Sequence, residues 1–463
     1  MVAPLLALAV NTNSILPPDL IMAAHWVSGV VRAAVRQQVS PQAAAVFVLN
    51  ATEICRQTAS LKAAFPASAI HAFACKANPL TAVLKLLADQ GMACETASLG
   101  EFTTACRFFG ASKVVFDSPV KTNEELCASV VKPCFLNVDN FQELERIAQL
   151  HASLPVGEFR ATVGIRINPQ IGAGSIDALS TGRMTSKFGI GLEDQRDALI
   201  AAYVTYPWLT MVHVHTGSQG LPIDLMIESI QKIYAFLLDL QTVTSNRINF
   251  FDIGGGLSVN FSSDAHEPSF AYYGERLRAA VPELFAPHAR LTLITEMGRS
   301  IVSKAGVYLS RVEYTKVNGG RHIVSQHCGH DLLLRSIWCP KDWPLRVHIF
   351  NGTTGEERSE NVVITDVAGP CCLGGDLACK ERPLPEAFPG DIVVIRDVGG
   401  YYHVSYNYYN LRPAPPAFMF HENHSVSGTV VDGSLQQVHR GRTVAETLAF
   451  FECDVDEKPA VAA

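Results

Sequence analysis

The sequence predicts an α/β fold, a (β/α)8 TIM barrel followed by an all-β domain, on three observations. Between residues 70 and 300, eight short β-rich runs alternate with amphipathic stretches. These runs read as near-continuous apolar segments, the mark of parallel strands covered on both faces. After residue 305 the rhythm changes to short strands set apart by Gly, Pro and Asp turns.

The strands are expected at HAFACK (71–76), MACETA (92–97), KVVFDS (113–118), PCFLNV (133–138), TVGIRIN (162–168), LTMVHVH (209–215), INFFDIG (248–254) and LTLITEM (291–297). Helices fall between them. PLTAVLKLLADQ places Leu80, Val83, Leu84 and Leu87 on one face. SLGEFTTACRFFG, KTNEELCASVV, NFQELERIAQL, EDQRDALIAAYV and IDLMIESIQKIYAFLLDL repeat the pattern. Eight such units fill roughly the 250 residues this barrel needs. YLSRVEYTKV, RVHIF, ENVVITDVAG and DIVVIRDV then read as strands of the second domain. The expected division is a barrel over 42–303, with 1–41 and 304–463 forming the β-rich domain. At 463 residues the chain exceeds what one core usually supports.

Bulk properties exclude several functions. A net charge of −7 with scattered Lys and Arg argues against nucleic acid as the main partner. No run approaches the roughly 18 apolar residues of a membrane span. MVAPLLALAV is apolar, but the first basic residue is Arg32, so neither a secretory nor an organellar leader is well formed. The cytosol is the expected compartment. Twelve cysteines without CxxC pairing suit neither a disulfide scaffold nor zinc, and no metal is expected.

Barrel chemistry sits at the C-terminal ends of the strands. Those positions hold Lys76, Glu95, Arg166, His215, Gly254-Gly255-Gly256, and Glu296 with Gly298-Arg299. A lone lysine at a strand end usually reaches solvent, and a lone barrel histidine is usually structural. Their conjunction on one mouth is the signal. The glycines and Arg299 follow strands 7 and 8, whose loops commonly hold phosphate. Backbone N–H groups and a guanidinium suit that anion, and Ser218 offers another donor. A phosphate site, a lysine and a carboxylate together suggest pyridoxal 5'-phosphate. Lys76 would bond its aldehyde, which needs a partly neutral amine, and burial or a cationic neighbour would lower its pKa. Glu296 would face the ring nitrogen and keep it protonated, and His215 would stack on the ring.

These residues resemble the fold-type III pyridoxal-phosphate decarboxylases, whose barrel is that of alanine racemase, along residues 45 to 420. AFACKAN, HVHTGSQ and FDIGGGL are similar to the family's lysine, histidine–serine and glycine motifs. TEMGR resembles its E-P-G-R, with Met297 in place of proline. GPCCLGGD (369–376) is similar to its G-P-x-C segment, and DVGGYY (397–402) to its D-x-G-A-Y. The motifs look most like diaminopimelate decarboxylase.

The resemblance implies a homodimer with shared active sites. Cys372 would enter the partner's site as the acid, and Tyr401 would contact the phosphate. The implied reaction is decarboxylation of an amino acid: meso-2,6-diaminopimelate to L-lysine and CO2, or an ornithine, lysine, arginine or carboxynorspermidine type. Leu373 stands where an acidic residue normally grips a distal amine, leaving Asp376 and Asp331 as substitutes. Arg335, in HDLLLRSIW, lies where diaminopimelate decarboxylases hold a far carboxylate. Arg299, Arg335, Leu373, Asp376 and Tyr401 are thus the expected substrate contacts. A racemase is disfavoured by Glu296 and Cys372. An inactive regulatory homologue that binds a protein partner is the alternative of another class.

Overall fold

The structure is a computed structural model, which describes residues 18–39, 43–172, 174–176, 179–286, 289–424 and 430–451; MVAPLLALAV lies outside them. Strand β1 (Ala45–Asn50) precedes the barrel. The barrel strands are β2 (Ile70–Ala74), β3 (Ala93–Thr96), β4 (Val114–Asp117), β5 (Phe135–Val138) and β6 (Thr162–Asn168). After the two-residue β7 (Ile190–Gly191), which leans on β6, come β8 (Leu209–His213), β9 (Phe250–Asp252) and β10 (Thr292–Thr295). They run parallel in the order β5-β4-β3-β2-β10-β9-β8-β6, and a β5–β6 pairing closes the ring. All eight expected strands are present, several ending two residues early at the mouth.

The intervening helices carry their own start signals. The Asn50, Ser98 and Asn140 side chains each accept a backbone N–H of their helix's first turn. Thr122 and Glu125 close a reciprocal capping box. Helix Thr81–Asp89 buries Val83, Leu84 and Leu87, and Leu80 is its N-cap.

Inside the barrel, alternate residues of each strand face the axis. Ala72, Ala93, Val115, Phe135, Met211 and Ile294 make one apolar cluster, with Ile70 and Phe250 against it. Gly164 of β6 leaves room there, since a Cβ would lie 2.7 Å from the Met211 carbonyl oxygen. Two residues further along, the same strands bury Glu95, Asp117, Asn137, Arg166, His213 and Asp252, and Glu296 lies just beyond β10. An apolar floor thus carries a polar layer.

The second domain begins with β11 (Gly306–Arg311), β12 (Tyr314–Asn318), β13 (Arg321–Ser325) and β14 (Val347–Phe350). It continues with β15 (Val362–Ala368), β16 (Leu377–Pro385), β17 (Ile392–Arg396), β18 (Ala417–His424) and β19 (Val430–His439). One sheet runs β14-β17-β11-β1-β18-β19 and the other β12-β13-β15-β16. β1 falls within the range 42–303 expected for the barrel, yet it pairs antiparallel with β11 and parallel with β18. Its Val46 and Val48 cover Val30 and Val31 of helix Pro18–Arg36, so the N-terminal arm packs on this sheet. Helix His330–Trp338 interrupts the strands and carries Arg335. No helix among the described residues is long and apolar enough to cross a membrane.

Candidate active site

At the C-terminal mouth of the barrel lies a cavity of about 430 Å³. Lys76, His215, Ser218, Gly256, Glu296, Gly298, Arg299, Arg335 and Tyr401 all line it, so most of the residues expected from sequence converge there.

Lys76 gets there because β2 gives out into a 3-10 turn, Cys75–Ala77, in which the Asn78 N–H donates to the Cys75 carbonyl at 3.0 Å. Its Nζ lies 2.8 Å from both oxygens of Glu95, which is fully buried on the adjacent strand. Burial pulls the ammonium down, but Glu95, then Tyr401 and Glu296, outweigh it and hold the group above lysine's ordinary value. This corrects the expectation of a depressed amine. The sequence reading counted burial and not the carboxylate that faces it.

Glu296 leaves β10 with its N–H donating to the Gly254 carbonyl at 2.7 Å. Burial raises its carboxyl, yet His213 and His215 outweigh that and leave it well below the usual range. Asp252, buried beside it, goes the other way: burial and the Glu296 charge push it well above. Neighbouring carboxylates whose pKa values are driven apart can divide acid and base roles. His215 accepts the Gly255 N–H at Nδ1 (3.2 Å), and burial lowers its pKa.

The anion end is built from backbone and guanidinium. Gly254 and Gly256 have φ of +67° and +103°, and a Cβ on Gly256 would fall 2.1 Å from the Gly217 carbonyl oxygen. Only glycine lets the loop close this tightly. Arg299 donates from Nη2 to Ser218 Oγ at 3.3 Å, while its buried Nε and Nη1 have no partner among the described residues. Burial lowers Arg299 to about 10. The Tyr401 N–H donates to Ala77 at 2.8 Å, tying that segment to the Lys76 turn. Unspent Arg299 N–H groups, the equally unspent Glu296 Oε1, and a glycine cradle fit a group with phosphate at one end and a ring nitrogen at the other.

Arg335 is a second guanidinium at the same cavity. Arg299 and Arg335 both lie over Trp343, at 4.6 and 4.7 Å, and over Tyr401, at 4.4 and 5.1 Å. Burial lowers Arg335, whose neighbours are aromatic rings. A desolvated cation held by aromatic faces is poised for an incoming carboxylate.

Other expected residues sit elsewhere in this chain. Arg166 Nη1 donates to Asp117 at 2.6 Å beneath the cavity. Asp376 accepts the N–H groups of His330 (2.6 Å) and Cys371 (2.7 Å), so its oxygens organise a loop and do not face the cavity. Asp331 is likewise engaged, by Arg412 at 3.1 Å. Cys372 is exposed on the second domain, its N–H donating to Asn410 at 2.9 Å and its carbonyl accepting from Tyr409 at 3.0 Å. Leu373 beside it is half-buried.

Sequence reasoning missed Trp343, Cys339 and Asp342, which line the cavity from irregular chain. It also missed Asp117, His213 and Asp252. Their signal was available: each lies two residues after an inward apolar residue of its strand.

Residues 51–303 match the family described as pyridoxal-dependent decarboxylase, pyridoxal binding domain. The chain is 32% identical over 385 residues to a diaminopimelate decarboxylase of Pseudomonas aeruginosa, covering 81% of this chain and 85% of that one. It is 31% identical over 345 residues to the diaminopimelate decarboxylase of Helicobacter pylori, covering 74% and 81%. The crystal structure of the Helicobacter pylori enzyme complexed with L-lysine superimposes with a TM-score of 0.77 at 25% identity, over 90% of this chain and 98% of that one.

Proposed function

Because the chain belongs to the pyridoxal-dependent decarboxylases, we propose that it removes a carboxylate from diaminopimelate, releasing CO2 and lysine, or decarboxylates a close analogue to the corresponding product. The observation that carries this is the convergence of Lys76, Glu296 and Arg299 on one cavity with polar atoms unspent.

Lys76 would hold pyridoxal phosphate covalently, Glu296 would meet its ring nitrogen, and Gly254–Gly256, Ser218, Arg299 and Tyr401 would hold its phosphate. When bound, that cofactor supplies a sink for the electron pair left behind as CO2 departs. His215 covers one face of the site. Glu95 is placed to keep the Lys76 proton until the amine is needed. Arg335 fixes a far carboxylate of the substrate, aided by the rings that screen it from water. The Cys372 thiol of a second copy returns a proton to the reacting carbon, which makes the enzyme a homodimer with composite sites. Leu373 offers no charge to a distal ammonium, so the far carboxylate is the main handle.

The test starts with purified protein and added pyridoxal phosphate. A visible absorption band should form and be absent in Lys76→Ala. Cys372→Ala should keep the band but lose about 10²–10⁴-fold in CO2 release. Co-expressing the two variants should restore activity that neither has alone. Diaminopimelate should exceed ornithine and lysine in a substrate panel. Protein that stays colourless after cofactor addition would overturn the proposal.

A further inference from the structure

Asp117, Asn137, Arg166, His213 and Asp252 of the polar layer below the cavity have no part in the proposed reaction. His213 is fully buried at the end of β8, and its two ring nitrogens lie toward two different carboxylates. Nε2 is 3.5 Å from Glu296 Oε2, and Nδ1 is 3.8 Å from Asp117 Oδ1. Neither nitrogen has a hydrogen-bond partner among the described residues, nor has Asp117 Oδ1. The other Asp117 oxygen takes the Arg166 guanidinium, so Arg166, Asp117, His213 and Glu296 follow one another in one connected row. Asp252 on β9 faces the same ring, and His215 follows just beyond the end of β8, its ring centroid 6.5 Å from that of His213.

A neutral imidazole has one N–H and could serve only one of the two carboxylates. The doubly protonated ring serves both, which matters most where water cannot help. We propose that His213 is a positioning residue, an imidazolium bracketed by Asp117 and Glu296 that keeps the Glu296 carboxylate ionised and aimed at the cofactor's ring nitrogen. This rests on the site reading above. Burial alone would lower the ring, but Asp117, Glu296 and Asp252 together raise it to about 9, in keeping with the geometry. His215 is lowered, so the two histidines of HVH divide the work.

The test reads the ring nitrogen directly. Protein reconstituted with cofactor labelled by ¹⁵N in the pyridine ring is compared by NMR from pH 6 to 9, as wild type, His213→Gln and Asp117→Asn. Wild type should hold the ring nitrogen protonated until pH nears 9, where His213 itself gives up its proton. His213→Gln should lower the protonated fraction and weaken cofactor binding about 10- to 100-fold, the usual scale for a partner that orients a ligating group. Asp117→Asn should shift the profile the same way, less strongly. A folded His213→Gln with wild-type nitrogen signal and affinity would overturn the proposal. Neutron diffraction of the unaltered holoenzyme at pH 7 provides a reading that needs no variant. Deuterium on both His213 nitrogens is expected, and deuterium on one only would overturn it. Wild-type protein that takes up no cofactor would instead sink the site reading on which this rests.

Discussion

The barrel interior has two rings of side chains one strand repeat apart, and they obey opposite rules. The lower ring, from Ala72 to Ile294, is apolar and closes the barrel as a plug. The upper ring replaces nearly every member with a polar one: Ala93 gives way to Glu95, Val115 to Asp117, Met211 to His213, and Phe250 to Asp252. Both rings are buried, so burial does not distinguish them. The lower ring gains from losing water, whereas the upper ring gives up hydration and recovers it only through mutual pairing. A protein tolerates that cost where the charges perform chemistry, which is why the polar ring borders the cavity and the apolar ring does not.

The sharpest way to break this contrast is to put a charge in the wrong ring. Ile294→Asp would bury a carboxylate among Ala72, Ala93 and Met211 with no cation there to meet it. A loss of about 3–5 kcal/mol of stability is expected from urea or thermal unfolding. A loss under about 1 kcal/mol would mean that water already reaches the lower ring.

The converse substitution is two residues away. Glu296→Gln keeps the shape but removes the charge that should face the cofactor. Here stability should fall, because His213 and His215 lose the buried carboxylate that both of them face. CO2 release should fall about 10²–10³-fold, or ~2.7–4 kcal/mol in barrier. If the Glu296→Gln variant matched wild type in rate, the upper ring would be structural after all.

How much of this could be read in the sequence follows from the same rings. Strand and helix periods are local, so the eight strands and the residues at their ends, Lys76, Glu95, His215 and Glu296, were visible. Asp117, His213 and Asp252 were hidden within runs that read as continuous β, although a strict two-residue alternation would have aligned them. β1 looks like any apolar strand; its partner β11 lies some 260 residues later, and no local pattern announces that pairing. Trp343 reaches the cavity from irregular chain, where periodicity gives no purchase. The protonation of Lys76 depends on where the Glu95 oxygens sit, a distance that residue types do not carry.

The smallest effect concerns a histidine outside both rings. His71 lies one residue from Ala72 and therefore points out of the barrel, toward Phe65. It is buried like His213 but meets Thr295 Oγ1, at 2.9 Å, where His213 meets carboxylates. Burial, with Lys62 adding, lowers it to about 4, whereas His213 rises to about 9. The signs of the two stability contributions therefore differ. For His71 the unfolded chain takes up a proton that the folded chain refuses, so its contribution is present above pH 6.5 and drains away as pH falls toward 4. For His213 the contribution is present below pH 6.5 and is lost as pH rises through 9. His71→Gln keeps a hydrogen-bonding side chain beside Thr295 and cannot titrate. Between about pH 6.5 and 5, wild type should lose about 1.5 kcal/mol more than this variant in urea unfolding. Parallel slopes would mean that His71 is charged in the fold, and that burial without a carboxylate is not what separates the two histidines.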